Sequence, residues 1–188
     1  MRKITSKMFA LIDGKLKTHG AAQLAIKNND SRNLLIYAAE ACVGIKEEGG
    51  NNKGLYVTEL QKTVDKSADQ EAWCMAAVQT WIAYVEKKLV IVSPIFSSEH
   101  CLTVWEKTKK VQRVLKIPAP GAIIIWQHGN SLKGHTGIVT SYGLTSMDTV
   151  EGNTSDSSFR DGDGVFTRVR SNKRDGSMKV VGFLRPFS

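Results

Sequence analysis

The chain changes its hydrophobic period once, at Pro118-Ala119-Pro120-Gly121. Before that point apolar residues recur every three or four positions, and after it they fall into short alternating runs separated by turn residues. Helices first and strands after them predict an α+β fold, with N-terminal helices packed on one side of a C-terminal antiparallel sheet of about five strands.

In the first half, Ile4, Met8, Leu11, Ile12 and Leu16 share a face, with Lys3, Lys7, Lys15 and Lys17 between them and His19-Gly20 as a stop. This basic amphipathic helix either docks on the domain by its apolar stripe or serves as an envelope-binding arm. Ser31 is expected to cap a helix reaching about Ile45, carried by Leu34, Leu35, Ala38, Ala41, Cys42 and Ile45. The polar run from Lys46 to Gly54 breaks it. Further helices are predicted over about Tyr56 to Val64 and Cys74 to Lys87. In the second half, strands are predicted over residues 122–126, 136–141, 146–151, 165–170 and 179–184. Asp161-Gly162-Asp163-Gly164 and Arg174-Asp175-Gly176 are turns between them.

With 188 residues, 41% of them hydrophobic, the chain can build a core without disulfide staples. Its 26 Lys and Arg against 18 acids give a net charge of +8, which steers it toward polyanions: nucleic acid, anionic lipid headgroups or envelope polymers. Two basic clusters, Lys107, Lys109, Lys110, Arg113 and Lys116, and Arg168, Arg170, Lys173 and Arg174, are either envelope-facing or simply solvated. No recognition helix, zinc spacing or interleaved aromatic motif supports specific nucleic-acid binding. The three cysteines, Cys42, Cys74 and Cys101, fit neither a disulfide framework nor a structural zinc site. Lys7 and Asp13 interrupt the start before an apolar run forms, so no secretory signal is read and the chain is expected to be cytoplasmic on synthesis. The longest apolar runs, such as Ala122 to Trp126, are too short for a transmembrane segment.

Cys74 opens its predicted helix. The partial positive charge of a helix start favours thiolate, and the unpaired N–H groups of the first turn can bind an oxyanion. Alone, such a cysteine also fits a small core residue. His135, in Gly134-His135-Thr136-Gly137, stands at the start of a strand, better held than His19, His100 or His128. Glu151 and Asn153 follow on the next strand, where the period of two puts both on one face beside His135. Either can accept the imidazole N–H and fix its tautomer.

The blocks Glu47-Glu48-Gly49-Gly50-Asn51-Asn52-Lys53-Gly54, Glu71-Ala72-Trp73-Cys74-Met75-Ala76-Ala77-Val78, Pro120-Gly121-Ala122, Gly134-His135-Thr136-Gly137-Ile138-Val139 and Val150-Glu151-Gly152-Asn153-Thr154 together resemble the CHAP family. These are cysteine, histidine-dependent amidohydrolases or peptidases of papain-like fold, found in phage endolysins and bacterial autolysins. The resemblance runs from about Leu34 to the C-terminus. It implies an N-terminal helical extension over residues 1–30 and a catalytic domain over 31–188.

The resemblance also implies roles: Cys74 as nucleophile, His135 as base, Glu151 as orienter of the imidazole and Asn153 as a further polar member, the last two able to trade places. Trp73 and Trp126 are candidates to line the groove, or core residues. Glu48, Asn51 and Asn52 are candidates for a wall that hydrogen-bonds a peptide, or an exposed loop. Trp73 stands where many relatives have Gln near the cysteine. The upstream loop offers Glu and Asn in place of an aspartate-rich calcium site, so no metal and no cofactor is expected. The implied activity is hydrolysis of an amide bond in the peptide part of peptidoglycan, by a monomer acting on the wall after release. The alternative is a non-catalytic wall-binding or phage structural module that kept the fold.

Overall fold

The structure is a computed structural model that describes residues 1–67, 70–155 and 162–187. Among these, six helices precede the sheet: α1 Ser6–Leu16, α2 Gly20–Lys27, α3 Ser31–Glu40, α4 Leu55–Gln61, α5 Cys74–Leu89 and α6 Cys101–Lys107. Seven strands follow: β1 Arg113–Val114, β2 Ile123–His128, β3 Gly134–Tyr142, β4 Ser146–Thr154, β5 Gly164–Ser171, β6 Arg174–Asp175 and β7 Met178–Leu184. They form one antiparallel sheet in the order β1-β7-β2-β3-β4-β5, with β6 paired to β7. The α+β architecture expected from the change of period is the one found. The five long strands match the five expected runs.

Local chemistry moved several boundaries. His19 does not stop α1. Its Nδ1 accepts the Ala22 N–H at 3.1 Å and caps a second helix, α2. Asp30, not Ser31, caps α3 by accepting from the Asn33 N–H. That helix ends at Glu40, short of Ile45, because Gly44 turns left-handed (φ 90°) and its N–H bonds the Val165 carbonyl, while Lys46 bridges Gly164. The chain thus leaves the helix to lie along the start of β5. Arg174-Asp175 is a short strand as well as a turn, joined to β7 by a two-residue loop in which Gly176 has φ 57°. Of the other turn signal, Asp161 lies outside the described residues.

The sheet is apolar on both faces. Ile123, Ile125, Ile138, Val150, Val165 and Leu184 join the helices in the main core, which centres on α5, buried from Cys74 through Glu86. Ala122, Ile124, Trp126, Val139, Met147, Met178 and Phe183 make a smaller core on the other face. Met8, Ile12, Leu16, Ala22 and Ala25 bring α1 and α2 into the main core, so the apolar stripe of α1 is spent on packing. Ahead of α1, the Arg2 guanidinium meets Glu86 of α5 at 2.5 Å, with both side chains nearly or fully buried. No helix among the described residues is long and apolar enough to cross a membrane.

Candidate active site

α5 starts at Cys74 because Trp73 is non-helical (φ −119°, ψ 13°), and no side chain caps it. No side chain occupies the first-turn N–H groups, and the positive end of the helix dipole stands at the sulfur. Cys74 is 7% exposed. Its thiol is held well below the ordinary value by a hydrogen bond with Cys101, against the opposing effect of burial, and by the hydrogen bond and charge of His135 and the Met75 N–H.

His135 is the second residue of β3 and pairs across the ladder with Trp126, on which its ring stacks at 5.6 Å and 22°. Nε2 lies 2.8 Å from Glu151 Oε2, which leaves Nδ1 for the sulfur. Burial pulls the imidazole down, but its contacts with Cys74 and Glu151 together push it up to about 9. A low thiol beside a high imidazole favours a thiolate–imidazolium pair.

Glu151 has no exposed surface, and both its oxygens are fully engaged. Oε2 takes His135 and, at 2.6 Å, Arg170 Nη2; Oε1 takes Arg170 Nε at 2.8 Å and the Thr149 hydroxyl at 2.6 Å. Burial alone would raise this carboxyl, yet Arg170 and His135 hold it far below the usual carboxylate range. Glycines make the approach possible. A Cβ on Gly137 would stand 2.6 Å from Glu151 Cγ, so the bare backbone of β3 is what lets Glu151 reach His135. A Cβ on Gly152 would stand 2.7 Å from Ala77 Cβ and 3.0 Å from the Trp73 ring, so α5 rests directly on β4 beside the acid.

Asn153 goes elsewhere. The ladder shifts register between Glu151 and Thr154, and Asn153 takes a left-handed φ of 52°, which breaks the alternation that would have set it beside Glu151. Turned with its oxygen toward Trp73, its carboxamide accepts from the Trp73 backbone and indole N–H groups, both at 3.1 Å. In the opposite amide orientation its nitrogen instead donates to Asn52 Oδ1 at 2.8 Å. Asn52 in turn donates to the Gln70 carbonyl at 3.0 Å, and buried Gln61 donates to the Glu71 carbonyl at 2.7 Å. This network fixes the segment that leads into Cys74.

The structure thus brings Cys74, His135 and Glu151 together, and sets Asn153, Asn52 and Trp73 beside them as a second cluster. Trp73 and Trp126 have no exposed surface and offer none to a ligand; the Trp73 indole donates to Glu47 at 2.9 Å. Glu48 and Asn51 are exposed. Glu48 lines a cleft with Leu11, Lys15, Lys46 and Tyr56 that includes neither Cys74 nor His135. Arg170 belongs to no basic face: it is 9% exposed and paired with Glu151 and with Asp175 at 3.0 Å. The Arg113 guanidinium is likewise turned back onto the carbonyls of Glu106 and Thr108 and over the Trp105 ring. Arg170, Thr149 and Cys101 escaped the reading of the sequence. Only the regular alternation of β5 carried a signal for Arg170, and nothing singled out Cys101. Among the described residues no cluster of three metal-ligating side chains occurs.

Helices followed by an antiparallel sheet, with a cysteine opening the central helix against a histidine on the sheet, define a papain-like protein. Residues 66–153 match the family model of the CHAP domain, a match that supports assigning the chain to that family. Its members carry peptidoglycan hydrolase activity of the amidase or peptidase kind, dependent on cysteine and histidine. The matched segment holds Cys74, His135 and Glu151 and stops before Arg170. Searches of curated proteins and of solved structures found no match.

Proposed function

We propose that the chain is a cysteine endopeptidase or N-acetylmuramoyl-L-alanine amidase that cuts an amide bond in the peptide stem, the cross-bridge or the sugar-peptide junction of peptidoglycan. The observation that carries this reading is the buried Glu151 hydrogen-bonded to His135, whose other nitrogen is left for Cys74. The Cys74 thiolate attacks the amide carbonyl, and the N–H groups at the start of α5 receive the oxyanion. His135 passes its proton to the leaving amine, and then draws a proton from water as the thioester is hydrolysed. Glu151 keeps the imidazole in one tautomer and supports its cation. Asn153, with Asn52, holds Trp73 and so the start of α5.

In this reading residues 31–188 form the catalytic unit and residues 1–30 its helical extension. The protein works on the wall after release, as endolysins do, and its positive charge holds it to anionic envelope polymers. Purified peptidoglycan incubated with the wild type should yield new peptide amines with the matching carboxylates, on a peptide or on the lactyl group of the sugar, identified by mass spectrometry. Cys74→Ala should yield none. Equal product from both would remove Cys74 as nucleophile.

The low exposure of Cys74 favours one other reading, a wall-binding or phage structural module without activity. Thiol alkylation separates the two, because an activated Cys74 reacts quickly at neutral pH and an idle buried one does not.

A further inference from the structure

A second sulfur lies against the first. Cys101 Sγ is 3.7 Å from Cys74 Sγ, although the two residues open different helices, α6 and α5. Gly134 makes this approach possible: a Cβ there would stand 2.7 Å from Cys101 Cβ and 3.0 Å from the Trp126 carbonyl, so α6 sits directly on the start of β3, one residue before His135. Cys101 is 5% exposed and Cys74 7%, so both sulfurs share one barely open site. The contact is asymmetric. Either sulfur could donate in this contact, and the charge of His135 beside Cys74 favours the state in which Cys101 keeps the proton, with Cys74 lowered and Cys101 raised. A thiolate and a protonated thiol in contact are a pair that an oxidant can join, since a sulfenic acid formed on the first condenses with the second to a disulfide. Cys42 provides an internal comparison, since burial pushes its thiol up to about 12 and it has no exposed surface.

We propose that Cys101 is the resolving thiol of Cys74, so that a peroxide converts the site reversibly into an inactive Cys74–Cys101 disulfide. The proposal rests on the reading of Cys74 as the nucleophile. The Cys74 thiolate attacks one oxygen of hydrogen peroxide, which breaks the O–O bond, gives a sulfenic acid and releases hydroxide. The Cys101 sulfur then attacks the Cys74 sulfur, the S–S bond forms, and the sulfenic hydroxyl leaves with the Cys101 proton as water, while the hydroxide of the first step takes up the proton that Cys74 lost on ionising. In sum two thiols lose two electrons and two protons, and one peroxide becomes two waters. The sulfurs close from 3.7 Å to about 2.05 Å. Capture by Cys101 also forestalls the irreversible step to sulfinic acid.

The test treats the reduced full-length protein with hydrogen peroxide and follows it by intact mass, by peptide mapping without reductant, and by peptidoglycan hydrolysis. The expected product has lost two hydrogens, contains a linked peptide pair spanning Cys74 and Cys101, and has lost hydrolysis that dithiothreitol restores in full. Under the same treatment Cys101→Ser should gain about two or three oxygens at Cys74, as sulfinic or sulfonic acid, and stay inactive after dithiothreitol. Oxygen gain at Cys74 of the wild type without a linked pair, or a pair that uses Cys42, overturns the proposal. A Cys74–Cys101 link in a protein that never cleaves peptidoglycan would sink the hydrolase reading and leave the thiol pairing intact. Cleavage without a link would do the reverse.

Discussion

Arg170 grips Glu151 at two points, Nε to Oε1 at 2.8 Å and Nη2 to Oε2 at 2.6 Å, so the acid behind His135 keeps its charge inside the sheet. A carboxylate with no exposed surface would otherwise take up a proton, and a neutral acid could not sustain an imidazolium. The chain of contacts therefore runs from Asp175 through Arg170 and Glu151 to His135, and only its last members adjoin the sulfur.

Arg170→Met should leave Glu151 buried without its cation. Removal of one partner of a buried pair costs about 3–5 kcal/mol, which chemical denaturation would measure as a lower midpoint. Glu151→Gln keeps the shape and removes the charge. It should lower hydrolysis more than wall binding, and should move the alkaline limit of activity down from the region of pH 9, since His135 owes part of its raised value to this carboxylate. A fall in wall binding equal to the fall in rate would argue that Glu151 only holds the fold.

The pH dependence of stability follows from the same groups. The folded value of His135 is raised to about 9, so its contribution is complete below the unfolded imidazole value, about 6.5, and is lost as pH climbs through 9. The folded value of Glu151 is depressed, so its contribution is present above the unfolded carboxyl value, about 4.3, and is lost as acid protonates it. Melting temperature should therefore be highest between these limits. Cys74 should be alkylated with a midpoint below that of an ordinary thiol, about 8.5, and His135→Ala should raise that midpoint.

Much of this was legible from residue types alone. The helix opened by Cys74 and the five long strands follow from period and from turn residues, which left Glu151 and Asn153 both open as the partner of His135; the choice of Glu151 came from the resemblance. What stayed hidden was which side of a strand faces in. β5 alternates regularly, yet Val169 is 71% exposed and Arg170 is 9% exposed, the reverse of what side-chain polarity suggests. Period fixes which residues share a face, and only the partner Glu151 decides that the arginine face is the buried one. Asn153 was misplaced for a related reason, because a register shift has no signature in alternation. The contact between Cys74 and Cys101 depends on how α6 lands on β3, which no local pattern records.

The glycines next to the site give a sharper test than its polar residues. Gly137→Ala would place a Cβ 2.6 Å from Glu151 Cγ and 2.8 Å from the Val150 carbonyl. Glu151 must then shift, and misplacement of a catalytic array by about 1 Å can cost on the order of 100-fold in rate. The expected result is a folded protein with far slower hydrolysis and a normal circular dichroism spectrum. A rate within twofold of wild type would mean that the Glu151 position does not matter to turnover.

The N-terminal segment bears on the same helix from its far side. Arg2 donates to Glu86 from its backbone N–H at 2.7 Å and from its guanidinium at 2.5 Å, and its Nε reaches Gln79 at 2.5 Å. Glu86 has no exposed surface and also accepts from the Ser93 N–H at 2.9 Å. Arg2→Ala thus strands a buried carboxylate in α5 and should cost about 3–5 kcal/mol, far more than a surface change near a chain terminus. Replacing both, Arg2→Met with Glu86→Leu, removes the charge along with its partner and should recover most of that loss. Denaturant midpoints of the two single variants and the double variant test this directly. If Arg2→Ala unfolds at the wild-type midpoint, the first residues do not anchor α5, and α1 is held by its own contacts, Met8, Ile12 and Leu16 in the core and Asp13 with Tyr84 and Lys88.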